Sequence, residues 1–121
     1  MILVDTSIWV DHLRTGNQKL AALLRNGQVL AHSFLIGELA LGNLARRDEI
    51  LGLLRNLPQV RAATDPEVLV LIENQRLFGR GIGFIDAHLL AATLLTPGTG
   101  LWTRDQRLAA VCVGLGLAGG P

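Results

Sequence analysis

Among the ten Asp and Glu residues of the chain, Asp5, Glu38, Asp86 and Asp105 are set apart by their neighbours. Asp5 ends the apolar run "MILV" and Asp105 follows "GLWT", and both runs read as short strands. Glu38, taken as helical, has Phe34, Leu35, Leu41 and Gly42 three and four places away, and Asp86 has Ile82, Gly83, Leu89 and Leu90. A carboxylate on an apolar face is either paired or has its pKa raised. Each acid has a separate explanation. Asp5 could cap the helix "SIWVDHL", Glu38 could form a buried bridge with an arginine, Asp86 could sit at the positive end of its helix, and Asp105 could belong to a cap with Thr103 and Gln106. One shared explanation replaces the four: strand ends of a parallel sheet gather on one edge, and acids that converge there repel unless a cation joins them.

The chemistry of that cation follows from the donors. No cysteine pair or His-x-x-x-His spacing offers a soft zinc site, whereas an all-oxygen cluster suits Mg²⁺ or Mn²⁺. Such ions keep waters, activate one as a nucleophile and neutralise charge on a phosphodiester, which is metal-assisted phosphodiester hydrolysis. A hydroxyl from Thr6, Ser7 or Thr103 could orient a carboxylate or a bound water. The remaining acids read as solvated or helix-stabilising: Asp48 and Glu49 follow Arg46 and Arg47, Glu67 lies in a first helical turn, and Glu73 is near Arg76.

The elements that must position these residues alternate along the chain. Strand-like Ile2 to Val4 leads to a helix near Ser7 to Leu13, then a second helix capped by Asn17 and stopped by Gly27. A strand "QVLAH", an apolar helix from about Ser33 to Leu44 and a helix "RRDEILGLLRNL" closed by Pro58 come next. A weak strand "QVRAA" precedes a helix with Asp65 as cap and Pro66 at its first position, running to about Phe78. After a turn at Gly79, Gly81 and Gly83 come the helix "FIDAHLLAATLL", the strand "GLWT", the helix "RDQRLAAVC" and a tail with a brief strand that then frays. Strands separated by helices point to an α/β fold, a parallel sheet covered by helices on both faces.

With 121 residues and a 50% apolar composition the chain fits one domain, and no apolar run approaches the roughly 18 residues of a membrane helix, so a cytoplasmic protein is expected. Cys112, the single cysteine, lies in "LAAVCVGL" and reads as a core residue, as do Trp9 and Trp102. A net charge of +1 gives no global attraction to a polyanion, so phosphate must be held locally. The candidates for phosphate contact are Arg46 with Arg47, Arg76 with Arg80, and Arg104 with Arg107, each pair also readable as a solvated helix face. His12, His32 and His88 are not assigned an acid–base role.

The segments "ILVDTSIWVDHLR", "SFLIGELALGNL", "GIGFIDAHLLAA" and "LWTRDQRL", in this order, give a chain that resembles PIN-domain nucleases over essentially its whole length. Within them it is most similar to VapC-type ribonuclease toxins of bacterial toxin–antitoxin pairs. The resemblance implies a PIN-like three-layer α/β/α sandwich with a short, mainly parallel central sheet, with residues 1–121 forming one PIN domain. It implies metal-binding, catalytic carboxylates at Asp5, Glu38, Asp86 and Asp105, the last acting more through water, with Thr103 as the polar helper beside it. It further implies Mg²⁺ or Mn²⁺ as cofactor, an RNA substrate, a homodimer, and a cognate VapB-type antitoxin that inserts into the active-site groove. Two other readings compete. A phosphatase with a strand-end Asp nucleophile wants a second Asp where Ser7 stands, and a catalytically silent PIN-like scaffold would tolerate loss of the four acids.

Overall fold

The two-residue side-chain period of strand β1 (Ile2–Val4) divides the interior into two layers. In the computed structural model, which describes residues 1–120, Leu3 and Val4 are fully buried on opposite faces. The chain continues through helices α1 (Thr6–Thr15) and α2 (Gln18–Arg25), strand β2 (Val29–Leu30), and helices α3 (Ser33–Ala40), α4 (Arg47–Asn56), α5 (Asp65–Asn74) and α6 (Phe84–Leu95). Strand β3 (Gly100–Trp102) and helix α7 (Gln106–Gly114) complete it. Leu3 packs with Leu89 and Leu90 of α6 and Leu108 and Val111 of α7, while Val4 packs with Ile8 and Trp9 of α1, Leu20 of α2 and Leu54 of α4. The result is the α/β/α sandwich, with every strand pair parallel in the order β2-β1-β3. Helix α6 is buried from Ala87 to Thr93, as a helix apolar all round must be. Among the described residues no helix is long and apolar enough to cross a membrane.

Five local expectations differ from the structure. Helix α3 ends at Ala40 rather than Leu44, because the Arg47 guanidinium donates to the Ala40 carbonyl at 2.5 Å and to the Gly42 carbonyl at 3.3 Å, satisfying carbonyls at the helix end. The "QVRAA" strand reduces to one bridge between Ala31 and Gln59, since Pro58 has no N–H to extend the ladder. Thr64, not Asp65, caps α5: its hydroxyl accepts from the Glu67 N–H while the Glu67 carboxylate accepts from the Thr64 N–H. Helix α5 stops at Asn74, so Arg76 lies beyond it with a left-handed φ of 52°. The tail does not fray through Gly119. The Leu101 N–H donates to Leu117 and the Gly119 N–H to Leu101, and the backbones lie so close that a Cβ on Gly100 would be 2.6 Å from the Gly119 Cα.

His32 gives the fold a pH response. It is 2% exposed and caps α3, its Nδ1 accepting the Phe34 N–H at 2.9 Å. Burial holds its pKa below the ordinary histidine value, and His88 pushes the same way. The unfolded chain therefore takes up a proton first as the pH falls. The stability contributed by neutral His32 is present above its unfolded value of 6.5 and is lost as the pH drops through the lower folded value. Thermal melting from about pH 7.5 to about pH 5 should show a steeper fall in Tm for the native protein than for His32→Asn, which keeps the cap acceptor without titrating. Parallel curves would exclude this role.

Candidate active site

The strand register builds the site. Val4 pairs with Trp102, and the Asp5 N–H donates to the Trp102 carbonyl at 2.9 Å, so Asp5 and Thr103 leave adjacent parallel strands side by side. Asp5 occupies the N-cap position of α1, yet its side chain caps nothing. Its Oδ2 instead accepts from the Thr103 hydroxyl at 2.8 Å and from the Ser7 hydroxyl at 3.0 Å. Asp5 is 8% exposed as a residue and has no Lys or Arg partner among the described residues. A buried carboxylate with hydroxyl partners and no counter-charge is costly, which argues against a purely structural role for Asp5.

The same hydroxyls reach onward. Thr103 Oγ1 accepts the Asp105 N–H at 3.1 Å, and Ser7 Oγ accepts the Arg104 N–H at 3.1 Å, tying the loop after β3 to the start of α1. Asp105 Oδ1 caps α7, accepting from the N–H groups of Arg107 and Leu108. Asp86, in the first turn of α6, accepts the Gly83 N–H on Oδ2 at 3.0 Å. Glu38 is tethered across elements, its Oε1 accepting from the Thr6 hydroxyl at 2.9 Å. Each carboxylate thus commits one oxygen to holding its position. The other oxygen of each has no hydrogen-bond partner among the described residues.

Electrostatics ties three of the acids together. Burial raises the Asp86 carboxyl above its ordinary value; the Gly83 N–H opposes this, and the negative charges of Asp5 and Asp105 add to the rise. Asp5 and Asp86 are also felt by Cys112, whose thiol is pushed up to about 11, chiefly by burial. Cys112 is a core residue and not a nucleophile at neutral pH.

Glu38 differs from its sequence-based expectation. It is exposed, and the apolar flank inferred from its helical neighbours is broken where α3 ends, leaving Leu41 at 91% exposure. No arginine bridges it among the described residues. It opens instead on a groove of about 400 Å³ with apolar walls from Val10, Leu13 and Leu39 and with Arg14 and Arg46 at its edges. Arg14 was not singled out in the sequence. Its signal was helical spacing, since Thr6, Val10 and Arg14 recur every four residues along α1 and line the same groove.

The described acids and histidines contain no group of three close enough together to enclose a metal ion by themselves. The arrangement is looser than a closed carboxylate cage. It still fits a hard cation that keeps several waters and takes only one or two carboxylates directly, because the donors are oxygens, one buried carboxylate lacks a counter-charge, and Asp86 feels its neighbours' charges.

Arg46 lies 3.8 Å from Glu49, both exposed; Arg47 serves the end of α3; Arg104 pairs with Asp11 at 3.0 Å. Arg76 and Arg80 lie in the turn after α5, and Arg107 lies over Gly81. The histidines are engaged elsewhere: His12 Nδ1 accepts the Asn17 N–H, and His88 Nε2 meets Asp65 at 2.9 Å. Trp9 is buried and Trp102 packs half-buried on the α1 side of the sheet.

No family model matches the chain. Two curated proteins are similar to it, both called Ribonuclease VapC32, from Mycobacterium tuberculosis strains CDC 1551 / Oshkosh and ATCC 25618 / H37Rv. Each is 48% identical over 118 residues, covering 98% of this chain and 95% of the relative.

Proposed function

The chain belongs to the VapC family of ribonucleases, and on that premise we propose that it is a Mg²⁺- or Mn²⁺-dependent endoribonuclease acting at Asp5, Glu38, Asp86 and Asp105. The observation that carries the site assignment is the anchoring pattern: four acids, from four separate stretches of chain, each fix one carboxylate oxygen and none takes a Lys or Arg partner among the described residues. Asp5, Glu38 and Asp86 would hold the ion, with Asp105 acting on it through water. When bound, the ion supplies a water of lowered pKa and neutralises charge on the phosphodiester.

The chain's own groups do the positioning. Ser7 and Thr103 hold the Asp5 carboxylate in one orientation, and Thr103 couples it to Asp105 through the Asp105 N–H. Thr6, next to Asp5 at the start of α1, fixes Glu38 of α3, while Asp86 is held in the first turn of α6 and Asp105 at the cap of α7. RNA phosphates would be met by arginines at the rim, because the near-neutral chain offers no long-range pull. We place residues 1–121 in one PIN domain, with a cognate VapB-type antitoxin and a second copy of the chain as partners. The apolar groove beside Glu38 supports the first partner, and the exposed Val70 and Leu94 between α5 and α6 support the second.

The test is metal removal. Purified protein incubated with total RNA should cut it in the presence of Mn²⁺, lose that activity in excess chelator, and regain it when Mn²⁺ is restored above the chelator. Cutting that persists through exhaustive chelation would overturn the metal-dependent mechanism.

A further inference from the structure

Gly81 has a φ of +79°, and a Cβ placed on it would lie 2.7 Å from Arg107 Cδ and 2.8 Å from Nη1. The Arg107 side chain therefore lies flat against the turn, in space that only a glycine leaves open. The Arg107 backbone is tied to one acid, and its side chain reaches the turn that anchors another. The Arg107 N–H donates to Asp105 Oδ1 at 2.9 Å, and two residues beyond Gly81 the Gly83 N–H holds Asp86. One exposed side chain thus spans from the start of α7 to the turn that anchors α6.

Despite this neighbourhood, Arg107 forms no ion pair among the described residues, while Arg104 is spent on Asp11 and Arg47 on backbone carbonyls. A guanidinium without an ion-pair partner, on the residue whose N–H holds Asp105 and laid on the turn that leads to the Asp86 anchor, has its fork of donors free for the planar, two-point recognition of a phosphate. It also answers a physical need, since four carboxylates repel the polyanion they are to act on. We infer that Arg107, held against the glycine turn at Gly81, binds an RNA phosphate beside the four acids, an assignment that rests on the ribonuclease reading above. Gly81 is the positioning residue and Arg107 the substrate contact.

Steady-state cleavage of a fluorophore-quencher single-stranded RNA of mixed sequence with Mn²⁺ tests this. Arg107→Gln should raise KM about tenfold with kcat changed less than about threefold, and should reduce the slope of log KM against log salt by about 0.7. Arg107→Lys should lie between, keeping the charge without the planar fork. Gly81→Ala should raise KM as Arg107→Gln does, with the double variant no worse than either single one. Arg25→Gln, at the end of α2 beside the opposite edge of the sheet, serves as the comparison.

The proposal is overturned if Arg107→Gln moves KM and the salt slope no more than Arg25→Gln does, or if the effects of Gly81→Ala and Arg107→Gln add. Should Gly81→Ala fail to fold in a melting experiment, the exposed Arg107→Gln and Arg107→Lys variants decide the matter by the same criteria. Native protein that cuts RNA with Mn²⁺ but shows no special role for Arg107 leaves the ribonuclease reading standing. Native protein that cuts no RNA ends both.

Discussion

Asp5→Asn is expected to lower the rate of RNA cleavage by about a thousandfold while leaving the fold intact. The substitution is close to isosteric, and the amide oxygen can still accept from the Ser7 and Thr103 hydroxyls that now hold Oδ2. What disappears is the charge. That charge belongs to a buried residue without a Lys or Arg partner among the described residues, so its removal relieves repulsion on Asp86 and should leave the metal-free protein as stable as before or more so. Several kcal/mol of lost charge stabilisation correspond to about three orders of magnitude in rate. Cleavage and thermal melting must be measured on the same preparation. A near-native rate, or a large loss of stability without metal, would show that Asp5 is a structural group and not the centre of the site.

Trp9→Ala is expected to cost about 3–5 kcal/mol of folding stability, a large share of the roughly 5–15 kcal/mol of a domain this size. Trp9 is 2% exposed in the layer with Val4, Ile8, Leu20 and Leu54, and its ring meets His12 edge-on at 6.2 Å between centroids. Truncation there leaves a cavity between α1 and the sheet that rigid neighbours cannot close. The consequence extends to the site, because α1 also carries Thr6 and Ser7, which orient Glu38 and Asp5. Urea denaturation measures the cost, with Trp9→Phe expected to recover much of it by refilling the volume. A loss below about 1 kcal/mol would mean that Trp9 is not the anchor of α1.

Several features are legible in the sequence because they depend on near neighbours in the chain. The run "ILV" marks β1, the spacing in "FIDAHLLAATLL" marks α6 to its last residue, and Asn17 caps α2 as its type suggests. Glu38 is helical as its spacing suggests, but α3 ends two residues later and the apolar flank expected around it opens there. An arginine seven residues beyond Ala40 closes that helix, so neighbours assumed to be apolar walls lie outside it. Such a contact depends on where α4 packs, which no local pattern carries.

The identities of the four acids, the lack of a cysteine pair or His-x-x-x-His spacing and the alternation of strands and helices were set by the sequence alone, since residue type and short-range periodicity determine donor chemistry and secondary structure. Tertiary structure decided that Asp5 declines the cap it is placed to make and turns to Thr103, 98 residues away. It likewise decided that Glu38 is exposed and held by Thr6, and that Arg107 lies on Gly81. These outcomes follow from the parallel register of β1 with β3 and from the packing of helices on the sheet. Both bring together groups distant in the chain, and the choice among a side chain's possible hydrogen bonds is made only when those partners meet.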